Sequence, residues 1–220
     1  MRLSTIWKLM FFVLGLASSL PLFAQSQPSQ DQLDLLDQIS GVGPLKFGAK
    51  LESFDASLLK KADLPFRALD KPTVYLYAKE DGITWGTLHP SAIALQFHSG
   101  QLVAIMLWFN GPEGDLIAVS NAVLDKYGPG DNSGPNIAQS IPVRGAFQAR
   151  RWLGGKIEMD VAFPDKIRQG ESVDDLKQGE RGAVQFIDRE LDKQLTAQEA
   201  DAVQQQETKS HDLDKIKADL

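Results

Sequence analysis

Residues 92–110, AIALQFHSGQLVAIMLWFN, predict the centre of the fold as a β-hairpin that turns at Ser99-Gly100. In the first limb, apolar residues alternate with smaller or polar ones at a period of two, which is typical of a strand with one buried face. The second limb, residues 102–109, contains no polar residue. Both of its faces therefore need cover, or one of them binds another molecule.

Two turn types leave the register of this hairpin open. A two-residue turn pairs Phe97 with Leu102, whereas a three-residue turn with a bulge pairs Phe97 with Gln101. Strict alternation along the second limb places Val103 on the face of Phe109, and it places Leu102 on the opposite face.

Outward from the hairpin, the pattern predicts two helices and further antiparallel strands. The helices are predicted at 50–62 and 115–127, where apolar residues recur at helical spacing and Gly128-Pro129 follows the second stripe. Runs of hairpins with few helices favour an α+β fold. We expect two helix-plus-antiparallel-meander units, 44–110 and 111–195, that form a sheet with the helices packed on one face. The other predicted strands are 45–47, 73–78, 83–88, 147–153, 157–163 and 183–187.

The segments that flank the predicted domain, 44–195, differ from it in composition. Residues 1–24 are typical of a secretory signal peptide, because two basic residues precede a short apolar run and Leu22-Phe23-Ala24 offers a cleavage site. An uncleaved membrane anchor is the alternative. Residues 25–43 are predicted as a flexible leader with a short helix at 33–39. Residues 196–220 are predicted as a polar tail that is helical or disordered.

The composition bounds the class of protein. The chain has 220 residues, an apolar fraction of 43% and a formal net charge of −6, which suits a globular core and disfavours nucleic-acid binding. It contains no cysteine, so no disulfide is expected in the periplasm. After cleavage of the signal, we expect no stable membrane span.

Two short motifs carry a resemblance to a known group of proteins. They are Leu45-Lys46-Phe47-Gly48, before a predicted helix, and Leu124-Asp125-Lys126-Tyr127-Gly128-Pro129, which closes one. Over residues 44–190 the chain is similar to small secreted bacterial α+β proteins of the β-lactamase-inhibitor-like and outer-membrane-assembly-lipoprotein type. It lacks the lipobox cysteine and the disulfides of those members. The resemblance implies a binding or scaffold module and no catalytic residue.

No local motif predicts catalysis, a metal or a cofactor. The histidines are His89, His98 and His211, with no zinc-type spacing. His89 and His98 are predicted to be exposed turn residues. No nucleophile-elbow motif is present. A pair of carboxylates in a cleft would leave no sequence signature, so we predict no catalytic residues and keep a carboxylate-based hydrolase as the alternative.

The predicted binding residues are Arg150, Arg151 and Trp152, because arginine and tryptophan dominate interaction hot spots. They adjoin a long predicted loop, 130–145. The competing interpretation is a strand in which one arginine pairs with Glu158 or Asp160. A two-residue turn at Gly154-Gly155 would place Arg151 opposite Glu158 on a solvent-exposed face.

The tryptophans have two interpretations. Trp85, Trp108 and Trp152 either pack in the core or form a stacking surface for a sugar or a peptide. The sequence thus predicts a non-enzymatic periplasmic binding or assembly module, whose partner is another envelope protein or a peptide.

Overall fold

A computed structural model describes residues 27–62, 73–79, 82–111, 113–131, 147–164 and 182–218. The predicted signal peptide, most of the predicted loop at 130–145 and residues 165–181 lie outside the described residues. Within the described ranges the elements are, in chain order, α1 (Gln30–Asp37), β1 (Gly41–Val42), β2 (Leu45–Lys46), β3 (Leu59–Ala62), β4 (Thr73–Tyr77), β5 (Ala92–His98), β6 (Gln101–Phe109), α2 (Glu113–Tyr127), β7 (Phe147–Leu153), β8 (Ile157–Pro164), β9 (Gly182–Asp188) and α3 (Arg189–Ala218).

The main sheet has seven strands in the order β3-β4-β5-β6-β9-β8-β7. Every neighbouring pair is antiparallel. One meander runs from β3 to β6 and a second from β7 to β9, and the two meet where β6 pairs with β9. The helix α1 precedes the first meander and α2 the second, and residues of both helices belong to the same core cluster. The predicted α+β class is therefore confirmed.

The central hairpin has the two-residue turn, with Phe97 opposite Leu102. A bulge follows at once, because Gln96 pairs with Ala104 and leaves Val103 without an opposite residue. An extra residue in one strand shifts its side-chain alternation by one position. The face predicted for Leu102 is therefore wrong: Leu102 packs in the core cluster that holds Phe109.

Two faces of the sheet bury side chains of different size. The first face packs against α1 and α2 and contains most of the large aliphatic and aromatic residues. On the second face the cluster is built from smaller residues around two large ones. Its buried members are Val74, Ala94, Met106, Trp108, Ala162 and Ala183. The solvent exposure predicted for this face of β8 is wrong, since Glu158 and Asp160 are buried there.

The helix predicted at 50–62 is also wrong. Residues Leu51–Ser53 and Ala56–Leu58 form single 3-10 turns, and β3 follows directly. The amide and hydroxyl of Ser57 both donate to the carboxylate of Asp55, which lowers the pKa of that carboxyl. Such local side-chain bonds compete with helix formation. Pairing of β3 with β4 then gives its backbone groups sheet partners.

The strand predicted at 83–88 is replaced by a tight turn. Trp85 and Leu88 exchange backbone hydrogen bonds of 3.0 and 3.1 Å. Gly86 in this turn has φ of 60°. The strand prediction failed here because Ile83 and Leu88 are buried in the core cluster although residues 83–88 form no strand of the main sheet.

Part of the predicted leader belongs to the fold. Leu36 in α1 is completely buried. At the end of α1, the carboxylate of Asp37 accepts hydrogen bonds from the backbone amides of Gly155, Lys156 and Ile157, each at 2.8 Å. These bonds join α1 to the β7–β8 turn across more than a hundred residues of chain.

The tail begins as a packed helix and continues as an exposed one. Leu195 in α3 is buried, whereas residues 196–206 are exposed, with Val203 at 56%. Among the described residues, no helix combines the length and the apolar character needed to cross a membrane.

We expect that deleting residues 196–220 leaves the domain folded. Residues 196–206 of α3 are exposed and bury little area, so we expect the deletion to lower the free energy of unfolding by no more than about 1 kcal/mol, the scale of interactions made by exposed charged side chains. Urea unfolding followed by circular dichroism measures this. A truncated protein without a cooperative transition would show that the tail is part of the core.

Candidate functional site

The three predicted binding residues do not share one surface. Strand alternation places Arg150 and Trp152 on the first face of the sheet and Arg151 on the second. Trp152 is 1% exposed, and its indole nitrogen donates to the carbonyl oxygen of Gly128 at 3.1 Å. The guanidinium of Arg150 donates to the carbonyl oxygen of Pro129. A binding role for these three residues stays a prediction; they lie on β7, the edge strand of the main sheet, and their side chains have partners within the domain.

Arg151 lies in a buried charge network. Its Nε and Nη2 atoms donate to the two carboxylate oxygens of Asp160 at 2.7 and 2.9 Å, and Glu158 is 3.2 Å from Nε. The hydrogen bond to Asp160 is the main cause of the raised pKa of Arg151, so the guanidinium stays charged until the solution is strongly alkaline.

The register of this hairpin explains the choice of partner. Gly154 pairs with Ile157, so the turn is one residue later than predicted and Arg151 stands opposite Asp160. Glu158 has a second cation, the Nε atom of Arg189 at 3.6 Å. The network therefore matches buried charges with opposite ones, which is what a structural role requires.

His98 is buried, so its predicted exposure is wrong; His89 is exposed as predicted. The Nδ1 atom of His98 lies 2.6 Å from Asp192 of α3, and Nε2 lies 3.5 Å from Glu199. The neighbouring Ser99 hydroxyl donates to Glu199.

This group does not have the arrangement of a catalytic triad, in which the serine hydroxyl donates to the imidazole. Its contacts join α3 to the β5–β6 turn. Among the described residues, no cluster of three or more histidine or acidic side chains could hold a metal ion.

A cleft between α2 and two loops has the geometry of a ligand site. We call it the Trp85 cleft. Its volume is about 410 Å³, within the range of small-molecule pockets. One wall is α2, and the other is formed by the β1–β2 ribbon and the turn at Trp85. The described lining residues are Ile39, Gly41, Val42, Gly43, Thr84, Trp85, Gly86, Val119, Ala122, Val123, Lys126, Tyr127 and Phe186.

Aromatic stacking holds the floor of the Trp85 cleft. The Trp85 ring is nearly parallel to Phe163, with 5.7 Å between ring centroids and 5° between planes. Phe186 meets the Trp85 ring edge-on at 6.2 Å. Such pairs contribute about 0.5–1.5 kcal/mol beyond burial. Trp85 is thus held in place while it remains half-buried, so part of its surface is available to a ligand.

The loop wall depends on a glycine at the ribbon turn. Gly43 has φ of 55°, and a Cβ atom there would approach the carbonyl oxygen of Gly82 to 2.7 Å. Only glycine combines this backbone conformation with such a close approach. The ribbon can therefore lie directly against the loop that leads to Trp85.

Lys126 supplies the charge of the Trp85 cleft. It is the single charged residue among the described residues that line the cleft. Its Nζ atom lies 5.0 Å from the centroid of the Tyr127 ring, which is within cation–π distance. The cleft can therefore bind an apolar group and one negative charge.

A second cleft, of about 300 Å³, lies near the start of α3 and is lined by charges of both signs. Lys156 there is 3.7 Å from Asp188. The carboxylate of Asp188 also accepts the amide hydrogen of Leu191 and caps α3. These groups already have partners within the fold, so this cleft is the weaker candidate.

Comparison with family models, curated proteins and solved structures finds no match for this chain. The resemblance proposed from the two motifs therefore stays a prediction. The sequence pattern placed residues 41–43 in the leader and did not indicate that they form part of a site. It did raise Trp85 as part of a stacking surface, which is the one signal that pointed to the cleft.

Proposed function

We propose that this protein is a non-enzymatic binding module of the bacterial periplasm and that the Trp85 cleft is its binding site. The observation that carries this proposal is a preformed apolar cleft with a rigid aromatic floor. Export to the periplasm rests on the signal-like composition of residues 1–24.

The apolar lining of the cleft supports a ligand-binding role more than a purely structural one. Val119 and Val123 of α2 are buried in the core cluster, but Ala122, which directly precedes Val123, is exposed and lines the cleft. A small side chain there fills little of the cleft. Apolar surface that is left open to water in this way is typical of a site that a ligand covers.

The alternative is a periplasmic hydrolase that uses a carboxylate pair. Glu158 and Asp160 are two carboxylates on one strand face, but both lie against the Arg151 guanidinium. General acid catalysis needs a carboxyl that can exchange a proton near a substrate. Hydrolysis of peptidoglycan by the purified protein, abolished by Asp160→Asn, would overturn the binding proposal.

We expect Ala122→Trp to block the cleft. The probe is N-phenyl-1-naphthylamine, a neutral dye that becomes fluorescent in apolar sites. Wild-type protein should raise its fluorescence and Ala122→Trp should not, because the indole would occupy the space above Trp85. Asn121→Trp is the matched control, since Asn121 is exposed on the same turn of α2 and does not line the cleft.

Equal dye fluorescence with both variants would place the dye elsewhere, and an absence of fluorescence with wild-type protein would overturn the cleft as an apolar site. Circular dichroism and thermal unfolding of the two variants should agree with wild type, because both substituted positions are exposed.

A further inference from the structure

We infer that the ligand of the Trp85 cleft is a medium-chain fatty acid or a similar monocarboxylate, with its chain over Trp85 and its carboxylate at Lys126. This inference rests on the proposed function, and it adds the chemical class of the ligand.

Charge complementarity is the first argument. The chain has a net charge of −6, yet none of the described residues that line the cleft is acidic. Lys126 therefore gives the cleft the opposite sign to that of the whole chain. A single exposed ammonium matches a single negative charge, whereas a phosphate dianion is generally bound by several cations or by backbone amides.

The position of Lys126 is the second argument. Lys126 is exposed in the last turn of α2, whereas Val119, Val123 and Phe186, which also line the cleft, are buried. A ligand with its charge at one end can therefore keep the carboxylate in water beside Lys126. Its chain would lie in the cleft, where the burial of each methylene group favours binding.

The small number of polar side chains in the lining is the third argument, and it favours a fatty acid over a peptide. Among the described residues that line the cleft, Thr84, Lys126, Tyr127 and the Trp85 indole are the side chains with polar atoms. A peptide would bring a buried amide N–H and C=O at every residue, and each one left without a partner costs free energy. An unbranched alkyl chain brings none, so it suits this lining better.

Displacement of the bound dye tests the inference. Decanoate, below its micelle concentration, should displace the dye from wild-type protein at about two- to five-fold lower concentration than decanol, since exposed ion pairs contribute up to about 1 kcal/mol. Lys126→Gln should abolish this difference and Lys126→Arg should retain it. High salt should reduce it in the wild type, because ions screen exposed charges.

Competition by a short peptide tests the chemical class of the ligand. Acetyl-Leu-Phe with a free carboxylate should compete more weakly than decanoate. Stronger competition by the peptide, or equal displacement by decanoate and decanol, would overturn the inference while the cleft remains a binding site. Failure of the dye to bind wild-type protein would instead remove the proposed function itself, so the two failures can be told apart.

Discussion

Leu107→Ala is expected to lower the free energy of unfolding by about 2–5 kcal/mol, the range for truncating a large buried side chain. Leu107 is fully buried in β6. It stands opposite Ile93 of β5 and Val184 of β9, at the seam where the two meanders join. A cavity at this seam removes contacts from both meanders, so little relaxation is available to fill it.

Leu153→Ala is the matched control, because it makes the same chemical change at a residue that is 45% exposed at the end of β7. Substitutions of exposed residues generally change the free energy of unfolding by no more than about 0.5 kcal/mol. Urea unfolding of both variants measures the difference in unfolding free energy, provided that the dependence of this free energy on urea concentration keeps the wild-type slope. Equal midpoints for Leu107→Ala and wild type would show that the seam does not determine the stability of the domain.

Arg151→Ala is expected to lower the free energy of unfolding by about 3–5 kcal/mol, because removing one member of a buried ion pair leaves the other charge without compensation. Asp160 is 1% exposed and would lose both of its guanidinium hydrogen bonds. Glu158 would keep Arg189 as a cation at 3.6 Å. The destabilisation should therefore arise mainly from Asp160.

Arg189→Ala is the control for this prediction. Its guanidinium is more exposed, and it lies farther from its carboxylate than Arg151 does, so the loss should be about 1 kcal/mol or less. The double variant Arg151→Leu with Asp160→Leu should recover much of the stability, since an apolar pair of similar size carries no desolvation cost. A double variant as unstable as Arg151→Ala would show that packing, and not charge, explains the loss.

The local sequence pattern was sufficient to predict elements whose contacting partners are close to them in the chain. The turn at Ser99-Gly100 and the strands 147–153 and 157–163 could be predicted, because alternation and glycine turns act over a few residues. The helix α2 could also be predicted, and Gly128 after it has φ of 77°, as expected for a residue that ends a helix.

Competition between local and tertiary preferences decided the elements that were missed. Apolar residues at 50–62 have helical spacing, but the Asp55–Ser57 bonds and pairing with β4 favour turns and a strand. Similarly, alternation in β8 could not show whether Glu158 and Asp160 meet water or a cation, because Arg151 belongs to another strand and its register depends on the turn.

The sequence by itself determined the α+β class and the core strands, since binary pattern and turn residues specify them locally. Only the tertiary structure decided the candidate site. The Trp85 cleft combines Gly43 from the ribbon, Trp85 from a loop and Lys126 from α2, and no sequence spacing links these three positions. Their proximity follows from the burial of shared aromatic residues under α2, which is a property of the whole packed core.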